Sequence, residues 1–212
     1  MSIMAPGFRD VASRLAQISR SFSAKGWALG TAGNFSAVLS HEPLRLAITP
    51  SAADKGELLG EQILEIGSDT KDDHGSPVKP SAETLLHMQI ILDRGAGAVL
   101  HTHSVWSTVL SDVYAAQGGV AFEGYEMLKG LEGVKTHQHR EWLPIIENSQ
   151  DMEGLAKTIS RILAEHPGAH GFLVRRHGLY TWGVDLAQAK RHVEILEFLL
   201  EATGRTHYII HG

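Results

Sequence analysis

In the stretch Gly95-Ala96-Gly97-Ala98-Val99-Leu100-His101-Thr102-His103-Ser104, a short apolar run ends in two histidines set one residue apart. Side chains alternate between the faces of a β-strand, so positions i and i+2 share a face. The run therefore reads as a buried strand from whose end His101 and His103 project side by side. Neutral imidazole is the commonest protein ligand of zinc and its neighbours, and two on one face make half of a tetrahedral site. Two polar residues where a strand meets a loop leave the same trace, so the pair needs support from the rest of the chain.

A third histidine has a matching setting. Gly171-Phe172-Leu173-Val174-Arg175-Arg176-His177-Gly178-Leu179 is an apolar strand running into His-Gly, where glycine permits a turn or a close backbone approach. His101, His103 and His177 together give three neutral ligands with a position left open, the pattern of a catalytic metal site. His137 and His139 repeat the spacing inside the polar run Lys135-Thr136-His137-Gln138-His139-Arg140 and read as surface residues. His87, His192 and His207 lie on or after helices and read as structural or solvent-facing.

The elements around these strands follow from periodicity and turn chemistry. Helices are predicted over residues 6–25, 53–59, 81–92, 104–114, 123–131, 152–165 and 186–202, and strands over 35–39, 44–49, 62–66, 95–103, 142–146 and 169–174. Residues 179–182 are predicted to continue the last strand past a bend, and 67–79 to form a polar loop. Ser81 is the expected N-cap of its helix, with Glu83 in the first turn. Strands and helices mix without strict βαβ alternation. The fold class expected is α/β, with a mixed, mostly antiparallel central sheet flanked by helices in a single domain over residues 1–212.

Composition narrows the function classes. A chain of 212 residues with 43% hydrophobic and 20% charged residues can bury one sizeable core. A net charge of −5 without blocks of like charge speaks against a nucleic-acid partner, and no apolar run suits a membrane span. With no cysteine, any metal must be held by histidine and carboxylate, and a cytoplasmic address is expected. The first eight residues lack a basic stretch followed by an apolar core, so no secretory signal is expected.

Two carboxylates are candidates for acid/base work. Glu83 also reads as an acid satisfying a helix dipole, and Glu126, between Tyr125 and Met127, also reads as a solvated helix residue. Gly33-Asn34-x-Ser36, Thr49-Pro50-Ser51 and Pro80-Ser81 are turns whose N–H groups and hydroxyls could hold an anion, although the same residues are ordinary turn formers.

Taken in order, Gly33-Asn34-x-Ser36, Ile48-Thr49-Pro50-Ser51 with Asp54-Lys55-Gly56, Lys79-Pro80-Ser81-Ala82-Glu83, His101-Thr102-His103 and Arg176-His177-Gly178 resemble the class II aldolase/adducin superfamily over residues 12–202. The resemblance implies one Zn2+ per subunit on His101, His103 and His177, and a substrate phosphate near Gly33, Asn34, Thr49, Ser51 and Ser81. It further implies Glu126 as acid/base and a cyclic homotetramer with its site near a subunit boundary. Within the superfamily, Glu126-Met127-Leu128-Lys129-Gly130-Leu131 and Leu143-Pro144-Ile145-Ile146-Glu147-Asn148 resemble a dehydratase branch of methionine salvage that acts on a methylthio-bearing ketose phosphate. The sugar-phosphate aldolases carry Ser-Ser-Glu where this chain has Ser81-Ala82-Glu83, and Glu83 falls on their catalytic glutamate. Aldol cleavage or epimerisation through the same enediolate chemistry thus stays open beside dehydration. A non-enzymatic, adducin-like module ranks last because all three histidines are kept.

Overall fold

The computed structural model describes residues 7–67 and 80–211. The loop expected over 67–79 and the start of the first helix lie largely outside the described residues. The helices are α1 (Phe8–Ala24), α2 (Thr84–Arg94), α3 (Val105–Val113), α4 (Met152–Glu165) and α5 (Leu186–His211). The strands are β1 (Asn34–His41), β2 (Leu44–Ile48), β3 (Leu64–Gly67), β4 (Ala98–Thr102), β5 (Gly119–Phe122), β6 (Glu141–Ile146), β7 (Gly171–Val174) and β8 (Gly178–Gly183). They form one sheet in the order β3-β2-β1-β4-β8-β7-β6-β5. Only β6 and β7 pair in parallel, so the expected α/β class with a mostly antiparallel sheet is what the chain adopts.

Helices cover both faces of the sheet. On one, α2 and α4 pack Leu86, Ile90, Ile91, Leu155 and Ile159 against Ile48, Val99, Phe172 and Tyr180. On the other, α1 and α5 meet Phe35, Ala37, Ala98 and Leu100, and α5 with α3 covers Leu173 and Leu179. Alternation along β4 thus sends Val99 and His101 toward α2, and Ala98, Leu100 and Thr102 toward α5.

Four expectations need correction. Residues 53–59 form a turn at 55–57 with irregular chain on either side rather than a helix, and the Lys55 side chain is drawn inward. Ser81 is not the N-cap; that position belongs to Glu83, and the helix starts at Thr84. Residues 179–182 do not continue β7 but return beside it as antiparallel β8. The turn between them needs a positive φ, which Arg176 supplies at 54° although it is not glycine. β5 was not expected at all, being only four residues long.

Candidate metal centre

The sheet register assembles the site. Asn34 on β1 pairs with His101 on β4, and His101 pairs with Tyr180 on β8, so three side chains stand abreast beneath the start of α2. His103 lies one residue past β4, its N–H donating to the Trp27 carbonyl at 2.7 Å. His177 arrives from the turn between β7 and β8. That turn is tied down from α3: Ser111 Oγ accepts the Arg176 N–H at 2.9 Å, and Asp112 pairs with Arg175 and Arg176 at 2.8 and 3.0 Å. Those two hydrogen bonds pull the Asp112 carboxyl below its ordinary pKa. A left-handed arginine costs about 1 kcal/mol or more, and the Asp112 and Ser111 contacts hold it there. Glycine is required next to it, because a Cβ at Gly178 would stand 2.0 Å from the Thr102 carbonyl oxygen.

The three imidazoles converge. His101 Nδ1–H donates to the Leu179 carbonyl at 3.0 Å, which leaves Nε2 of the neutral ring as a lone pair. That nitrogen lies 2.8 Å from His103 Nε2 and 3.3 Å from His177 Nε2. Burial, then the neighbouring histidine charges, hold His101 well below its usual pKa, and the same causes bring His103 to about 4. Neutral rings are the ligand form, and nitrogens packed this closely repel unless a proton or cation sits among them. His177 Nδ1, on the side of the ring away from the group, is buried without a hydrogen-bond partner among the described residues. These three residues form the only His/Asp/Glu group among the described residues able to hold a metal ion.

Glu83 stands against this group, Oε1 at 3.2 Å from His177 Nε2 and Oε2 at 3.6 Å from His101 Nε2. Asn34 Nδ2–H donates to Glu83 Oε2 and to Ser81 Oγ at 3.2 Å. The Tyr180 ring stacks on His101 with centroids 3.8 Å apart. Its hydroxyl is buried and, although Glu83 is near enough to add to the upward pKa shift that burial causes, no hydrogen bond of acceptable geometry joins them.

Beside Glu83 and His103 opens a pocket of about 170 Å³ lined by Gly33, Asn34, Ser51, Ser81 and Lys55 among others. The structure thus brings together most of the residues expected to meet a phosphate. Thr49 is the exception: it is buried, and its Oγ1 accepts the Phe35 N–H at 3.1 Å. Gly33 has φ +76°, and a Cβ there would lie 2.7 Å from the His101 carbonyl oxygen. Lys55, to which the sequence reading gave no role, is 1% exposed. Its ammonium donates to the carbonyls of Ala53 and Thr31 at 2.8 and 3.2 Å and forms no ion pair among the described residues. Burial lowers its pKa.

Glu126 is not part of this assembly in the single chain. It opens the 3-10 turn Glu126–Gly130, whose Leu128 packs on the α5 side of the sheet, away from the face that carries His101. Its carboxylate is 71% exposed and paired with Lys129, whose hydrogen bond pulls its pKa down. His137, also exposed, is 3.8 Å away. His139 instead joins the buried Glu141, whose Oε2 it meets at 2.9 Å, with His170 Nδ1 at 3.0 Å.

The family described as Class II Aldolase and Adducin N-terminal domain matches residues 13–203. A methylthioribulose-1-phosphate dehydratase of Sorangium cellulosum is 43% identical over 195 residues, 92% of this chain and 91% of its own. One of Methylococcus capsulatus is 42% identical, covering 94% and 96%. The solved L-fuculose-1-phosphate aldolase of Thermus thermophilus superposes with a TM-score of 0.75 at 20% identity, over 96% of this chain and 97% of its own, and so shares the fold.

Proposed function

The chain belongs to the class II aldolase and adducin family, and from that premise we propose that it is a metal-dependent carbon–oxygen lyase removing water from methylthioribulose 1-phosphate. The observation that carries the reading is Glu83, a carboxylate 3.2 Å from a converging imidazole in the pocket that also holds Lys55, Ser51 and Ser81. A proton acceptor, three ligand nitrogens and groups suited to an anion lie in one place. The choice of substrate rests on the named relatives of 42–43% identity.

His101, His103 and His177 would hold one Zn2+ per subunit. Bound there, the cation supplies Lewis-acid polarisation of the substrate's ketone oxygen, which acidifies the neighbouring C–H. Lys55 and the hydroxyls of Ser51 and Ser81, with the backbone at Gly33, receive the C1 phosphate. Thr49 supports that cradle by fixing the Phe35 N–H rather than by touching phosphate. Glu83 takes the proton from C3. The C4–O bond then breaks, water leaves, and the C3–C4 enol tautomerises to the 2,3-diketone with the phosphate and methylthio groups intact. Glu126 orients the departing C4 hydroxyl, which leaves as water with the proton that Glu83 took from C3. Glu126 reaches the pocket where a neighbouring copy in a homotetramer presents it. A cytoplasmic enzyme of methionine salvage, acting through one domain, is the role this chemistry fits.

Metal-loaded protein incubated with methylthioribulose 1-phosphate is expected to yield a phosphate-bearing diketone, followed by its absorbance and mass. Triose phosphate or glycolaldehyde phosphate released from ketose phosphates, with no diketone, would replace dehydration by aldol cleavage.

A further inference from the structure

Beneath the carboxylate of Glu83 runs a chain of buried polar groups that its role does not by itself explain. Glu83 is the N-cap residue of α2, and His87, one turn later on the same face, is fully buried. His87 Nε2 lies 2.5 Å from Asn34 Oδ1, and His87 Nδ1 lies 2.7 Å from Ser36 Oγ, itself buried. Asn34 turns its amide nitrogen toward Glu83 and Ser81. These contacts admit one consistent set of protons. An amide that gives both N–H groups to Glu83 and Ser81 must accept at Oδ1, so His87 carries its proton on Nε2. Nδ1 of the neutral ring is then an acceptor, and Ser36 supplies the hydroxyl. Burial keeps that ring neutral, its pKa lowered to about 3. The opposite amide orientation would face Asn34 Oδ1 with the Glu83 carboxylate, two acceptors in contact.

We propose that His87 is a positioning residue: through Ser36, His87 and Asn34, a fixed imidazole tautomer locks the asparagine amide so that it aims the Glu83 carboxylate at the three-histidine group. The same amide is then not free to turn toward a phosphate, which leaves that task to Lys55 and the serines. The proposal deepens the dehydratase reading and rests on it for its kinetic test. Its alternative is a histidine that merely satisfies buried polar groups.

H87F keeps a planar aromatic ring, slightly larger than imidazole, and removes both nitrogens. H87Q keeps an amide N–H where Nε2–H stood. In metal-loaded protein with confirmed stoichiometry, H87F is expected to lower kcat about 10- to 100-fold, the usual cost of losing a group that orients a metal-site residue. H87Q should recover most of that loss. In an E83Q background H87F should cost nothing further, because its effect passes through Glu83. An unchanged kcat in H87F, or an equal loss with and without Glu83, overturns the proposal. A second measurement needs neither turnover nor a variant. Long-range 1H–15N spectra of histidine-labelled, zinc-loaded wild-type protein should show His87 as the Nε2–H tautomer, and an Nδ1–H tautomer overturns the proposal whatever the substrate. If the tautomer is as expected but no diketone forms, the dehydratase reading fails and the positioning chain stands.

Discussion

Replacing Glu83 by glutamine keeps the side chain's shape and removes its capacity to take a proton. E83Q is expected to lose about 10²- to 10⁴-fold in kcat while retaining its metal by elemental analysis; near-native turnover would take Glu83 out of the reaction. Lys55 belongs to binding instead. K55M should forfeit about 2 kcal/mol of phosphate interaction, roughly thirtyfold in KM, and lose inhibition by inorganic phosphate, with kcat little changed. His101 and His103 could be read in the sequence because a two-residue spacing at the end of an apolar run puts both on one face, and His177 because another apolar strand runs into it. Lys55 could not, since lysine is ordinarily a surface residue and nothing local shows that two backbone carbonyls will accept its ammonium. The partnership of Asn34 with Glu83 was equally hidden, as 49 residues separate them along the chain.

Among elements, the hairpin of β7 and β8 decides whether the third imidazole is delivered. A methyl group at Gly178 would press on the Thr102 carbonyl, which belongs to the strand carrying the first two histidines. G178A is therefore expected to destabilise by about 2 kcal/mol or more in urea unfolding and to weaken metal affinity in a chelator competition. Unaltered affinity would mean that the hairpin adjusts without moving His177. The boundaries of α4 were legible to the residue, with apolar positions at helical spacing after the Asp151 cap. Residues 53–59 misled because their spacing suits a helix while Lys55 is pulled toward the pocket. β8 was misjudged because a left-handed Arg176 breaks the rule that such turns advertise themselves with glycine. β5 has too few residues to show a period.

The whole molecule carries opposing pH dependences. Burial holds His87, His103 and His192 at about 3, 4 and 4, below the ordinary 6.5, so the unfolded chain takes up protons that the folded chain refuses. Their contribution falls as pH drops below 6.5. Within the Glu141–His170 pair, His170 acts the other way and Glu141 acts in the same direction as the buried histidines. His170 is raised by Glu141 despite burial, so its share is complete below 6.5 and lost as pH rises past its folded value. Glu141, lowered by His170 and His139 despite burial, contributes above 4.5 and loses that as pH falls through its folded value. The melting temperature of chelator-treated protein should drop between pH 7 and pH 5, and more steeply in H170Q; a flat profile in both would contradict these assignments. Assembly into a homotetramer is expected from family resemblance alone. On α3, Val105, Val109 and Val113 leave an exposed apolar stripe just after His103. If neighbouring copies share sites, co-expressed E83Q and E126Q chains should regain activity that neither has alone. No recovery would confine Glu126 to its own chain or remove it. One consequence reaches beyond catalysis. His101 and His177 are 76 residues apart along the backbone, so whatever they grip together closes that span into a ring. A protease nick inside it, for instance near the exposed Glu147 and Asn148, would leave two pieces clasped by that grip as well as by the β4–β8 pairing, and a chelator should make them easier to part in urea.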